Sequence, residues 1–159
     1  MACSKSKKSS DVKTIKKYIK WLVVNFPRLK FKTHVPLTEI LKAPEPPVLK
    51  RFWEHHWAHA DIVVYRHGKP ICILEPGGYQ HVTDKKQTLR DRKKFLVCEN
   101  SNVSMLSLMN STLECMEMPG FKRMLKCFFY GDPVRTRRME RETILKGKMH
   151  ELLNSHNDR

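Results

Sequence analysis

The chain predicts an α/β fold, a three-layer sandwich in which helices flank a central mixed β-sheet. Three patterns carry that reading. An amphipathic stretch at 11–26 is followed, past Pro27, by an alternating one at 29–35. Two short, nearly continuous apolar runs, 61–65 and 71–75, flank a turn sequence, Arg66-His67-Gly68-Lys69-Pro70. A charged amphipathic stretch at 85–97 leads into an apolar alternation at 103–108. Helical periodicity, strand alternation and buried-strand runs succeed one another in the order α-β-β-β-α-β, and a further helix follows.

Residues 1–10 (MACSKSKKSS) read as a flexible basic arm. Asp11 can cap the first helix, which carries Ile15, Tyr18, Ile19, Leu22 and Val23 on one face and Lys13, Lys16, Lys17 and Lys20 on the other. Pro27 stops it. In 29–35, Leu29, Phe31 and Thr33 alternate with Lys30, Lys32 and His34, as in a strand. Residues 38–41 suggest a short helical turn, and 43–47 (APEPP) a stiff loop. Residues 50–59 (KRFWEHHWAH) read as a helical turn entering the next strand. The hairpin turns at Gly68, and Gly77-Gly78 breaks its second strand. Thr83 or Asp84 can cap the 85–97 helix. Residues 119–130 mix basic and apolar side chains, and 135–153 suggest a last, basic helix. These elements divide the chain into the arm, a core over 11–112 and a basic, helical C-terminal extension over 113–159 packed on that core.

A chain of 159 residues fits one domain and can hide about 70% of its unfolded surface. No apolar run approaches the roughly 18 residues of a membrane span, and the N-terminal sequence lacks the apolar stretch of a secretory signal. Five cysteines without a Cys-x-x-Cys pair argue against a disulfide framework and a cysteine zinc site; reduced thiols in a cytoplasmic protein are expected. The charge is the strongest compositional signal. Thirty-one Lys and Arg against sixteen Asp and Glu give +15, an excess that suits a polyanionic partner. DNA, RNA and anionic membrane surfaces all share that attraction.

The chemistry centres on the hairpin. With Gly68 at its middle, Asp61 and Glu75 lie equally far along the two strands and face each other. Directly opposed residues have Cβ atoms about 4.5–5.5 Å apart. Two carboxylates at that spacing repel unless a cation lies between them, and a hard divalent ion such as Mg²⁺ or Mn²⁺ prefers oxygen donors. A slip of one residue would put the two acids on opposite faces. His81 follows beyond Gly77-Gly78. Then come Lys85, Lys86, Arg90, Arg92, Lys93 and Lys94, six bases with one acid across ten residues. A cation site, a proton-transfer group and a phosphate-gripping helix are the parts phosphodiester hydrolysis needs.

At these residues the chain resembles the PD-(D/E)XK nuclease superfamily. Within it, the similarity is to a small single-domain branch near very-short-patch-repair endonucleases and related bacterial domains. That branch shows Asp, a hairpin, Glu-x-Asp-Gly-x-x-His, then a helix with Asp-x-x-Lys or Asp-x-x-Arg. Here stand Asp61, Glu75-Pro76-Gly77-Gly78-Tyr79-Gln80-His81 and Asp91-Arg92-Lys93-Lys94. Phe31-Lys-Thr-His-Val-Pro-Leu37 also looks like the branch's first strand. The resemblance spans residues 10–112 and rests on short motifs. It implies a restriction-endonuclease-like core, a Mg²⁺- or Mn²⁺-dependent endonuclease, metal ligation by Asp61, Glu75 and the Pro76 backbone carbonyl, and catalysis by Asp61, Glu75 and His81. Two positions depart from it. The superfamily's lysine, two residues after Glu, is Gly77, so its cation must come from Lys94, Lys85 or Lys86. The acid of the first helix has only Asp11 as a counterpart.

Other residues admit plainer readings. His55, His56 and His59, without a cysteine or a well-spaced carboxylate beside them, are read as lining the groove near Asp61 or touching phosphate rather than binding zinc. Trp53 and Trp57 could stack on bases, though buried packing is the commoner role. The methionines fill core. The expectation is therefore a nuclease acting on double-stranded or branched DNA, gripped by Lys85, Lys86, Arg90, Arg92 and Lys93. It would work in the cytoplasm, near the nucleoid or in a phage-infected host, without a membrane, as a monomer or homo-oligomer. By analogy of fold it suits a phage or mobile-element nuclease of the homing kind. The alternatives are a non-catalytic nucleic-acid-binding protein on a degenerate nuclease fold and an RNA-binding structural protein.

Overall fold

The computed structural model describes residues 3–77, 85–109 and 119–131. Helix α1 (Cys3–Asn25) leads into strand β1 (Lys30–Pro36), the short helices α2 (Leu37–Ile40) and α3 (Pro47–Glu54), and strands β2 (His59–Arg66) and β3 (Lys69–Gly77). Helix α4 (Lys85–Asn100), strand β4 (Ser104–Met109) and helix α5 (Pro119–Tyr130) follow. The strands form one four-stranded sheet in the order β1-β2-β3-β4. Its first three strands are antiparallel, and β4 runs parallel to β3. A parallel neighbour needs a crossover connection, and α4 lies in it. The α/β sandwich with a mixed sheet is thus the fold. The caps proposed at Thr83 and Asp84 and the helix at 135–153 fall outside the described residues.

One face of the sheet (Ile62, Val64, Cys72, Leu74, Leu106 and Leu108) packs against Ile15, Tyr18 and Leu22 of α1 and Phe121, Leu125 and Phe128 of α5. The other face, with Val63, Ile73 and Met105, packs against Leu37 of α2, Phe52 of α3 and Val97 and Cys98 of α4. Trp53 donates its Nε1–H to the Leu41 carbonyl at 3.0 Å, tying α3 to the end of α2, so packing is its role. Arg66 donates to the Phe129 carbonyl at 3.1 Å, placing a cation at the C-terminal end of α5.

Two sequence readings need correction. The helix starts at Cys3, not at an Asp11 cap, so residues 3–10 are helical rather than a flexible arm. No Gly or Pro interrupts 3–25, and extending a formed helix costs less than starting one. Val23 is 52% exposed and does not belong to the buried stripe, which runs Ile15, Tyr18, Leu22, Phe26.

The hairpin holds the finding that matters most for function. Arg66 pairs with Lys69, so the turn is the two-residue loop His67-Gly68, with φ of 52° and 75°, as a type I′ turn requires. Its centre is half a residue before Gly68. That offset alone would set Asp61 against Leu74 and turn Glu75 to the opposite face. The ladder shifts between Val64 and Tyr65, leaving Ile71 as the extra residue on β3, and Ile62 then pairs with Leu74. One further step sets Asp61 opposite Glu75. The expected opposition therefore holds, but through a bulge rather than through a symmetric turn.

Candidate active site

Asp61 and Glu75 share a face with Val63 and Ile73, where apolar residues give way to carboxyls near the end of the sheet. The next strand outward contributes His34. Thr33 pairs with Ile62 and Val35 with Ala60, so His34 lies across from Asp61. His34, Asp61 and Glu75 thus form a row across three strands. His34 has φ of 50°, a left-handed conformation that histidine adopts more readily than most residues.

Lys94 reaches the row from α4. Phe95, Val97 and Cys98 are the apolar side of that helix and pack on the sheet. Lys94 stands three and four residues before Val97 and Cys98, so it projects from the same side. Its Nζ donates to Glu75 Oε1 at 2.8 Å and to the His59 carbonyl at 2.9 Å. The side chain is 13% exposed and that of Glu75 5%. His59, at the start of β2, donates its Nδ1–H to the Trp57 carbonyl at 2.8 Å. Its Nε2 lies 3.5 Å from Asp61 Oδ1.

Electrostatics follow from this crowding. Burial, reinforced by the neighbouring Asp61 charge, pushes Glu75 up to about 8, and a hydrogen bond joins it to Asp61. Burial works against Asp61's charge as well. Hydrogen bonds from His59 and Glu75 and the nearby Lys94 ammonium nevertheless hold it down at about 2. Burial also opposes the Lys94 charge, but Glu75 outweighs it and the ammonium is strengthened. His59 is raised, chiefly by its hydrogen bond to Asp61. Two adjacent carboxyl groups beside a buried ammonium offer oxygen atoms that could hold a hard cation.

The site opens into a groove of about 440 Å³, lined among others by His34, Trp57, Pro76, Arg90 and Asp91. Trp57 is 40% exposed, and the Arg90 guanidinium lies over its ring, 4.9 Å from the centroid. Asp61, Glu75 and Lys94 meet, then, and Pro76 and Arg90 line the same groove. Lys85, Lys86 and Arg92 are exposed along α4, and Lys93 is half-buried. His81 lies outside the described residues. His55 and His56 stack on each other, with centroids 4.6 Å apart and both exposed. His34 escaped sequence reasoning. The alternation at 30–34 shows its side of β1, but only the β1–β2 register brings it to Asp61.

Neither family models, curated proteins nor solved structures gave a match to this chain.

Proposed function

We propose that this protein is a divalent-metal-dependent endonuclease that hydrolyses DNA phosphodiester bonds at Asp61, Glu75 and Lys94. The observation that carries the reading is the buried contact of Lys94 Nζ with Glu75 Oε1 at 2.8 Å, beside Asp61. A glutamate 5% exposed is costly to keep. A cation-dependent reaction is a reason to keep it. The PD-(D/E)XK arrangement expects a lysine two residues after the glutamate. Gly77 offers no side chain there, and Lys94 on the following helix brings an ammonium to the same carboxylate. The order helix, strand, hairpin with two acids, helix, strand supports the same reading.

The donors suit a hard ion: two carboxyls, with the Pro76 carbonyl next in the chain, offer oxygen atoms of the kind Mg²⁺ and Mn²⁺ prefer. Such an ion would supply Lewis acidity toward a phosphodiester and acidify a water. The chain's own groups do the rest. Lys94 holds Glu75 in place and sets a positive charge beside the carboxyls where negative charge would build on a phosphate. Arg90 lines the groove, and the exposed bases Lys85, Lys86 and Arg92 add positive charge to the same helix, which would draw in the backbone. His81 remains our candidate for proton transfer.

The test is incubation of the purified protein with supercoiled plasmid in Mg²⁺, Mn²⁺ or EDTA. Nicked or linear product with the ions and none with EDTA is expected. An intact plasmid under all three conditions, with binding retained, would leave the non-catalytic reading standing instead.

A further inference from the structure

We propose that His34, His59 and Asp61 form a second, nitrogen-rich metal position, beside the oxygen donors of Asp61 and Glu75. It would take a borderline first-row ion of the Zn²⁺ or Co²⁺ kind. One ligand atom from each of the three residues lies within 4.8 Å of the others. Ligands around a tetrahedral ion stand roughly 3.4 Å apart at bond lengths near 2.1 Å, so small side-chain rotations would close the set. The His34 and His59 rings already face each other, with centroids 5.3 Å apart at 50°.

The orientation of His59 is the strongest sign. Its Nδ1 lies 2.8 Å from the Trp57 carbonyl, which can only accept, so that nitrogen carries a hydrogen. This leaves Nε2 toward Asp61 Oδ1 at 3.5 Å. A histidine whose far nitrogen donates to a backbone carbonyl, with the near one turned to a carboxylate and a second imidazole, has the arrangement of a metal ligand held by its outer shell. Imidazole nitrogen shifts preference from Mg²⁺ toward Zn²⁺, Co²⁺ and Ni²⁺. His34 is exposed and Asp61 has 21% of its side chain exposed. Three protein ligands with one side toward the groove leave a coordination position free, as catalytic zinc sites do. Asp61 belongs to both positions, and its carboxylate has two oxygens to divide between them.

This proposal rests on the site described above but not on its cutting DNA. The experiment is titration of the metal-free full chain with Co²⁺ alone, read by visible absorption, and with Zn²⁺ alone, read by histidine side-chain NMR. Wild type should give a saturable Co²⁺ spectrum, and Zn²⁺ should move the His34 and His59 signals. His34→Ala and His59→Ala should each weaken Co²⁺ binding by about 100-fold or more, since even outer-shell changes cost 10–100-fold. His56→Ala, an exposed histidine that does not line the groove, should keep the spectrum. His34, exposed at an edge strand, can be removed without unfolding the chain, and a melt of each variant checks that. Equal Co²⁺ binding by wild type and His34→Ala would overturn the proposal. So would binding that vanishes in His55→Ala, or a His59 ring that only takes up a proton and ignores Zn²⁺. Plasmid cleavage in Mg²⁺ that survives in His34→Ala, without Co²⁺ binding in wild type, would remove this position while leaving the nuclease reading intact.

Discussion

The two faces of the sheet are built from the same strands but end differently. Under α1 and α5 the face is apolar along its length, from Ile62 and Val64 to Leu106 and Leu108. Under α4 it begins the same way, with Val63, Ile73 and Met105, and then places Asp61, Glu75 and Lys94 where more core would fit. A well-packed apolar group there would be more stable than a carboxylate pushed up to about 8. One face is apolar throughout, while the other buries charged groups, which the proposed chemistry would explain. Substitutions on the two should therefore fail in opposite ways.

The largest effect is expected at Asp61. Asp61→Asn should bring Mg²⁺-dependent cleavage to background while duplex binding, followed by gel shift, stays as tight or tighter; wild-type cutting would remove Asp61 from the site. Lys94→Met comes next. Loss of a positioned cation costs about 10²–10³-fold in rate, so single-turnover cleavage should fall on that scale with affinity little changed. Leu22→Ala, on the opposite face, is the counterpart. It should cost about 2–5 kcal/mol in a denaturant melt, yet leave the rate per folded molecule near wild type. If Leu22→Ala slowed the chemistry as Lys94→Met does, the two faces would not be distinct in role.

Weaker effects sharpen the contrast. Arg90 and Arg92 to Ala together should flatten the slope of log K against log salt by roughly 1.8, at about 0.9 per phosphate contact. An unchanged slope would move the footprint to the lysines of α1. A further contrast lies in pH. Folded Glu75 keeps its proton above the usual glutamate range, so its contribution to stability is whole at low pH and is lost as pH climbs to about 8. Asp61 behaves oppositely, contributing above the usual aspartate range and losing that as pH falls toward about 2. Melts in EDTA should find Glu75→Gln gaining on wild type between pH 5 and pH 9. A constant gap would mean that Glu75 ionises normally.

The order of elements was legible because Pro27, Gly68 and Gly77 punctuate runs of clear periodicity. The opposition of Asp61 and Glu75 was legible too, though by a partly wrong route, since neither the His67-Gly68 turn nor the Ile71 bulge can be told from the alternation. The sequence offers three lysines, Lys85, Lys86 and Lys94, for the place left by Gly77. The apolar stripe of Phe95, Val97 and Cys98 singles out Lys94, once it is known which side of α4 meets the sheet. His34 was hidden because its partnership depends on a register between strands separated by two helices. The start of α1 was misread since a run of lysines and serines has no hydrophobic period to declare itself.

The most direct measurement is single-turnover cleavage of an end-labelled duplex by Glu75→Gln in Mg²⁺, alongside its thermal melt at pH 8. The substitution keeps shape and a carbonyl oxygen that Lys94 can reach, while removing the ability to ionise. We expect a variant that melts at or above metal-free wild type and does not cut. A folded Glu75→Gln protein that cuts at the wild-type rate would contradict a metal-dependent active site at Asp61, Glu75 and Lys94.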